Sequence, residues 1–133
     1  MAAIASLFID GRSYTVLECE YEFTQSIDIT GRPSDRPRCG LINLVIVAPD
    51  DSDLTFHEWM CDKESTKDGR IEFTVNISEL SHSANKTVKF EDAYCVRLYE
   101  YFNNGNSIQM YTKLGIMASA ITFGKDCTFK MID

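Results

Sequence analysis

The chain has 133 residues, of which 44% are hydrophobic and 25% are charged, and its net charge at pH 7 is -7. This composition is typical of a globular protein with its own core, so we expect a single domain over residues 1–133. The acidic balance argues against nonspecific nucleic-acid binding, which needs a basic face, and the apolar runs are too short to span a bilayer.

The first strong strand signal is an alternation of apolar and acidic residues. It predicts one face turned to the core and one solvated face with a ladder of carboxylates. The apolar face comprises Leu17, Cys19, Tyr21 and Phe23, and the ladder comprises Glu18, Glu20 and Glu22.

A long loop, residues Ile27–Gly40, follows this strand. It contains two of the chain's three prolines, and it contains Arg32, Arg36 and Arg38, half of the arginines of an acidic protein. Strands this close could be joined by a two-residue turn, so a loop of this length is typical of either a functional or a disordered segment. Proline stiffening and arginine enrichment indicate an arm that docks on a partner.

The segment after the loop predicts a strand and then a short helix. The continuous apolar run Leu41–Ala48 indicates a strand that is buried on both faces. Asp50, Asp51 and Asp53 then supply capping groups and negative charge for a helix N-terminus. Apolar residues at helical spacing predict an amphipathic helix over Asp53–Cys61, whose buried face comprises Phe56, Trp59 and Met60.

The rest of the chain predicts further strands. The stretch Ser107–Phe123 is too long for an ordinary strand, and we expect it to bend or bulge near Gly115. The predicted strands are Ile71–Ile77, Thr87–Phe90, Ala93–Phe102, Ser107–Phe123 and Cys127–Ile132. Together the elements predict a mainly β fold, an antiparallel β-barrel or sandwich with one short inserted α-helix.

Three kinds of chemical site are conceivable, and we expect none of them. His57 and Cys61 share a helix face, but zinc sites show paired short spacings, and His82 lies in a separate polar turn. Five cysteines without a signal peptide indicate reduced, buried thiols in a cytosolic protein rather than a nucleophile. The three carboxylates of the glutamate ladder have similar surroundings, whereas a catalytic acid and base need surroundings that give them different pKa values. We therefore expect no enzymatic activity, no cofactor and no metal.

Several stretches in order resemble the tube protein of bacterial type VI secretion systems, called Hcp or TssD, in the form found in Bacteroidetes. The stretches are Tyr14–Ile46, the helix FHEWM followed by KDGRIEF, Val88–Asn104 and Ser107–Gly124. The GRPS loop between its two strands and the segment FEDAYCV are the most specific of them.

The resemblance implies a small β-barrel with a flanking helix that assembles into hexameric rings. Such rings stack into a tube inside a contractile sheath, on a baseplate and behind a spike, and small effectors can travel in the lumen. The protein would be cytoplasmic before firing and then be secreted by the machine without a signal peptide, with no nucleic-acid partner and no membrane insertion.

The resemblance also implies that the arm contacts the next ring. Since the planar guanidinium of arginine binds a carboxylate through two hydrogen bonds, we expect the arm's arginines to reach acidic residues of a neighbouring subunit. The candidate contact residues are Arg32, Pro33, Ser34, Asp35, Arg36 and Arg38 on the arm and Glu18, Glu20, Glu22, Asp50, Asp51 and Asp53 as its acidic partners.

Two other functional interpretations of the sequence stay open. One is the tube of a phage tail or of an extracellular injection particle, and the other is a monomeric barrel that binds a small ligand. A surplus of aromatic residues on probable neighbouring strands is compatible with either a core face or an interface, because periodicity does not separate the two. These residues are Tyr94, Tyr99, Tyr101, Phe102 and Tyr111.

Overall fold

The structure is a computed structural model, and it describes residues 4–35, 37–39, 41–77 and 82–130. It contains strands and one short helix. In chain order the elements are β1 (Ile4–Ile9), β2 (Arg12–Glu20), β3 (Phe23–Thr24), β4 (Arg38–Cys39), β5 (Ile42–Val47), α1 (Thr55–Cys61), β6 (Lys67–Ile77), β7 (His82–Phe102), β8 (Met110–Met117), β9 (Ala120–Phe123) and β10 (Cys127–Lys130).

Six of the strands close into an antiparallel barrel in the order β6-β1-β2-β5-β8-β7. Strand β7 closes it, because its first half pairs with β6 and its second half pairs with β8. The hairpin β9–β10 is attached outside this ring of strands, along the first half of β7. The predicted mainly β fold, an antiparallel barrel with one short helix, is confirmed.

The core lies inside the barrel and is built from the inward face of each strand. In β5 the residues Ile42, Leu44 and Ile46 are buried, whereas Asn43, Val45 and Val47 are only partly covered. The prediction that this strand is buried on both faces was therefore wrong. A closed six-strand barrel covers one face of each strand, so the apolar outer face of β5 remains open to solvent or to a partner.

A bulge in β2 changes which residues face the core. The register with β5 shifts between Val16 and Glu18, so Leu17 and Glu18 both lie outside, and Leu17 is 38% exposed. The prediction of Leu17 on the core face was wrong, because an extra residue in one strand reverses the alternation locally. Beyond the bulge, Cys19 and Tyr21 pack against the core as predicted.

The helix packs on the barrel through two aromatic residues. Phe56 and Trp59 are buried, and the indole Nε1 of Trp59 donates to the carbonyl oxygens of Ser65 and Ala93 at 3.1 and 3.2 Å. Met60 is 40% exposed, so its predicted place on the buried face was wrong. Met60 follows Trp59 by one residue, which is about 100° round the helix axis, so its side chain has left the side that faces the barrel.

The predicted bend near Gly115 occurs slightly later in the chain. Gly115 lies within β8, and the break falls between β8 and β9, at Ala118 and Ser119. A Cβ at Gly115 would lie 2.8 Å from the Cβ of Arg97, where the register of β7 shifts. The glycine therefore accommodates an irregularity in the neighbouring strand rather than a bend in its own.

A polar cluster on Asp53 joins the start of β2 to the start of α1. One carboxylate oxygen of Asp53 accepts hydrogen bonds from the backbone N–H and the hydroxyl of Thr55 at 3.1 and 2.7 Å. The other accepts the Tyr14 hydroxyl at 2.7 Å, and the Arg12 guanidinium lies 3.1 Å from the carboxylate. Desolvation alone would raise the pKa of Asp53, but these hydrogen bonds outweigh it and hold the pKa well below its usual range.

Replacing Asp53 tests how strongly this cluster stabilises the fold. We expect Asp53→Ala to lower the free energy of unfolding by about 2 kcal/mol, because Tyr14 and the first turn of α1 lose their charged acceptor. Urea denaturation at pH 7 measures the loss. Asp51→Ala is the matched control, since the side chain of Asp51 is exposed and makes no hydrogen bond among the described residues.

The same cluster predicts a pH dependence. The pKa of Asp53 is lower in the folded chain than in the unfolded chain, so its stabilisation is present above about pH 4 and is lost as the pH falls. The difference in stability between the wild type and Asp53→Ala should therefore shrink between about pH 4 and pH 2. A difference that stays constant over that range would contradict the assignment.

Candidate subunit-contact site

The described residues of the loop predicted to be an arm form a hairpin outside the barrel. At its root, Phe23 pairs with Cys39 and Thr24 pairs with Arg38. Further out, the backbone N–H of Ser34 donates to the carbonyl oxygen of Ser26 at 2.8 Å. The described residues of the hairpin from 24 to 35 are all exposed. We call residues 23–39 the arm.

The tip of the arm is shaped by one carboxylate. An oxygen of Asp28 accepts the backbone N–H and the hydroxyl of Thr30 at 2.9 and 2.6 Å and the backbone N–H of Arg32 at 3.1 Å. The hydrogen bonds lower the pKa of Asp28, with the Thr30 hydroxyl as the largest cause. Gly31 follows with φ +86°, a conformation that favours glycine. The tip is thus formed before any partner is bound.

This tip presents an apolar side chain and a cation to solvent. Ile29 has a relative exposure of 102%, and Ile27 has one of 67%. The guanidinium of Arg32 is exposed and forms no ion pair among the described residues. Sequence reasoning noticed the arginines and missed Ile29, although an isoleucine two residues before Gly31 in a polar loop was a visible signal.

The other predicted arm residues differ from Arg32. Arg38 pairs within the arm, with its Nη2 3.1 Å and its Nε 3.3 Å from the Asp35 carboxylate. Pro33 and Ser34 lie on the returning side of the hairpin, where Pro33 bridges to Ile27. Arg36 lies outside the described residues.

The predicted aspartate partners lie at the opposite end of the β2–β5 ladder from the arm. In that ladder Val16 faces Ile46 and Glu20 faces Asn43, so the chain after β5 returns to the level at which β2 begins. Contact between Asp53 and Arg12, the first residue of β2, confirms this position. The nine residues of β2 separate the two ends by about 30 Å, at roughly 3.3 Å per residue.

The three aspartates are not equivalent at that end. Asp53 is engaged in the polar cluster with Tyr14. Asp50 closes a local turn, accepting the backbone N–H of Ser52 at 2.9 Å and its hydroxyl, and these bonds lower the pKa of Asp50. Asp51 is exposed with no side-chain hydrogen bond or ion pair among residues that the structure describes.

The glutamate ladder runs along the barrel towards the arm. Glu18 lies opposite Val45 and Glu20 lies opposite Asn43, and both carboxylates are exposed. Glu22 lies beyond the end of β2, close in sequence to the arm root. The glutamate ladder therefore lies on the outer wall of the barrel and at the end that carries the arm, whereas the aspartates lie at the opposite end.

The aromatic surplus proves to be mostly on the outside of the barrel. Tyr99 is 43% exposed on this outer face, and the rings of Tyr101 and Tyr111 are tilted by 40° with centroids 5.1 Å apart. Phe102, 61% exposed, ends β7 on the opposite face of the strand. The ammonium of Lys113 lies 5.3 Å from the Tyr99 ring centre, within the range of a cation–π contact. This outer face of β7 and β8 is therefore open to contact.

The prediction of buried cysteines is wrong for two of them: Cys61 and Cys127 are exposed, whereas Cys95 is buried and Cys19 is half-buried. The Nε2 of His57 lies 3.0 Å from the Glu100 carboxylate, and His82 begins β7. No group of three or more metal-ligating side chains occurs within residues 4–35, 37–39, 41–77 and 82–130. Burial, with the charge of Glu20 as a smaller cause, raises the pKa of Cys19 to about 11, which makes the thiol unreactive at neutral pH. Among the described elements, no helix has the length and apolar character needed to cross a membrane.

Comparison with known proteins is consistent across sequence and structure. The solved structure of Hcp1 from Flavobacterium johnsoniae is 29% identical, with a TM-score of 0.78, over 96% of this chain and 98% of that chain. Hcp1 from the E. coli EAEC 042 pathovar is 11% identical, with a TM-score of 0.70, over 98% and 99%. Hcp1 from Salmonella typhimurium is 10% identical, with a TM-score of 0.69, over 96% and 91%. The last two likenesses show the fold alone.

The curated proteins contain no match to the chain. The family model described as hemolysin coregulated protein Hcp (TssD) matches residues 1–131, nearly the whole length. The chain therefore belongs to the Hcp (TssD) family, the tube proteins of type VI secretion.

Proposed function

We propose that this chain is the ring-forming subunit of a type VI secretion inner tube. Its copies close into hexameric rings, and the rings stack through the arm. The tube is assembled in the cytoplasm inside a contractile sheath, on a baseplate and behind a spike, and is then driven out with effectors in its lumen. The role is structural rather than enzymatic, in keeping with the family.

One observation supports stacking through the arm more than any other. A preformed, exposed arm and an exposed acidic turn lie at opposite ends of the β2–β5 ladder. A contact that propagates from ring to ring must join two different surfaces, one on each end of the subunit. The arm and the turn around Asp51 meet this requirement, whereas two features at the same end would not.

Electrostatics favours a local contact of this kind. A net charge of -7 on every copy produces long-range repulsion that opposes assembly. Arg32, which has no ion pair within the described chain, supplies a cation at the arm tip. Asp51 supplies the matching carboxylate, because Asp53 is already engaged within its own subunit. The glutamate ladder is less suited to stacking, since it lies along the wall and at the arm's own end.

The exposed isoleucine adds an apolar anchor to this contact. Ile29 is held at the tip by the hydrogen bonds to Asp28, so little conformational freedom is lost when it is buried. Burying a side chain of this size contributes about 1.5–3 kcal/mol, which exceeds a typical exposed ion pair. We therefore assign affinity mainly to Ile29 and specificity mainly to Arg32.

Ring formation is tested by the mass of the purified protein. We expect size-exclusion chromatography with light scattering to give a species of about 90 kDa, six times the chain mass of 15.1 kDa. A stable monomer over the accessible concentration range would contradict the proposal and favour a monomeric ligand-binding barrel.

Stacking is tested by exchanging charges across the proposed contact. We expect Arg32→Glu and Asp51→Arg each to shorten the tubes seen by electron microscopy while leaving rings intact, because each places like charges together. The double variant should restore tube length, since the pair is re-formed with reversed polarity. Failure of the double variant to recover, with both single variants impaired, would contradict the Arg32–Asp51 pairing.

A matched control separates this pairing from net charge. Lys63→Glu changes the charge by the same amount as Arg32→Glu at another exposed side chain with no ion pair among the described residues. Tubes of normal length are expected for this control, and combining it with Asp51→Arg should give no rescue. If Lys63→Glu and Arg32→Glu shorten the tubes equally, the effect is one of net charge rather than of the Arg32–Asp51 pairing.

A further inference from the structure

The root of the arm is too small to hold the arm in one direction by itself. Strands β3 and β4 pair over two residues each and form a sheet separate from the barrel. A two-stranded ribbon of this length has little stability of its own in water. A stacking arm must nevertheless project in a constant direction, so another part of the molecule has to fix it.

Four aromatic rings meet at this root. The Phe23 ring, on β3, lies 4.3 Å from the ring centre of Phe129 on β10 and 5.7 Å from that of Phe123 on β9. Tyr21 lies 5.8 Å from Phe123, and Phe123 lies 5.9 Å from Phe129. The spacings of 5.7 to 5.9 Å fall in the range of favourable aromatic pairs, and the rings of Phe23 and Phe129 lie closer still. We call these four residues the aromatic clamp.

The hairpin that supplies half of the clamp is not needed to close the barrel. The six barrel strands form a continuous ring of pairings without β9 and β10. The hairpin is attached through β9 to one stretch of β7, where Val88 pairs with Phe123. Phe129 pairs with Ile121 across the hairpin, which places its ring on the side that faces the core and the arm root.

We propose that the C-terminal hairpin β9–β10 positions the arm through the aromatic clamp, with Phe129 as its principal positioning residue. Phe23 and Phe123 also pack against the barrel core, whereas Phe129 does not belong to that core and contacts the clamp rings. Loss of its ring therefore loosens the arm while the barrel stays folded. The consequence for tube assembly rests on the proposed function, in which the arm joins one ring to the next.

The experiment compares three variants of the full-length chain by amide hydrogen exchange and by electron microscopy. In Phe129→Ala we expect the hydrogen-bonded amides of the arm, such as that of Ser34, to exchange at least about tenfold faster, with the amides of β2 and β5 unchanged, because a local opening becomes easier. Tubes should also become shorter. Phe129→Tyr keeps the ring and should behave as the wild type. Thr128→Ala is the control on the same strand, since its hydroxyl contacts Thr122 on the other face.

Each alternative outcome identifies what fails. If the arm amides exchange at the same rate in Phe129→Ala as in Thr128→Ala, the clamp is overturned. It is also overturned if Phe129→Ala raises the exchange rate throughout the barrel. Faster exchange of the arm with tubes of normal length would overturn the claim that arm direction governs stacking. If Arg32→Glu also leaves tubes intact, the Arg32–Asp51 pairing fails, and if the wild-type chain forms neither rings nor tubes, the proposed function itself fails. In either case the exchange result still decides whether the clamp holds the arm.

Discussion

The placement of the arm and of the acidic turn depends on the pairing of β2 within the barrel. Its first residues pair with β1 and its last residues pair with β5, so the strand is held along its whole length as part of the closed barrel. One end is fixed by the Asp53 cluster with the helix, and the other continues into Tyr21 and the arm root. A rigid strand of about 30 Å thus separates two chemically different ends.

The acidic residues of the chain divide into two groups with different roles. Asp53 and Asp28 accept several hydrogen bonds each, and their lowered pKa values show that the folded chain stabilises them as carboxylates. Asp51 and the ladder residues Glu18, Glu20 and Glu22 have no such role among the described residues and remain available to partners. A strongly acidic subunit can therefore combine internal stability with local attraction for a second copy, since close contacts are screened less than the long-range repulsion between whole subunits.

Sequence periodicity was sufficient for the fold class and for the helix, because alternation and helical spacing report which face is buried. Periodicity failed where the irregular pairing of one strand decides which residues its neighbour can hold. At the β2 bulge, Leu17 turns outward, and at Gly115 only a residue without a side chain leaves room for Arg97. The loop was recognisable as an arm from its prolines and arginines, but its apolar tip and the distant position of Asp51 depend on tertiary structure. The clamp was not predictable, since Phe23 and Phe129 are 106 positions apart in the chain and meet only after the barrel has closed.

A cryo-electron microscopy map of tubes assembled from the full-length chain tests the central claim most directly. The account predicts that the arm of each subunit reaches the next ring, with Ile29 covered and Arg32 within ion-pair distance of Asp51. It also predicts an arm that leaves the barrel beside β9–β10 in the same direction in every copy. A map in which the arm contacts only its own ring, or in which Asp51 faces solvent between stacked rings, would contradict it.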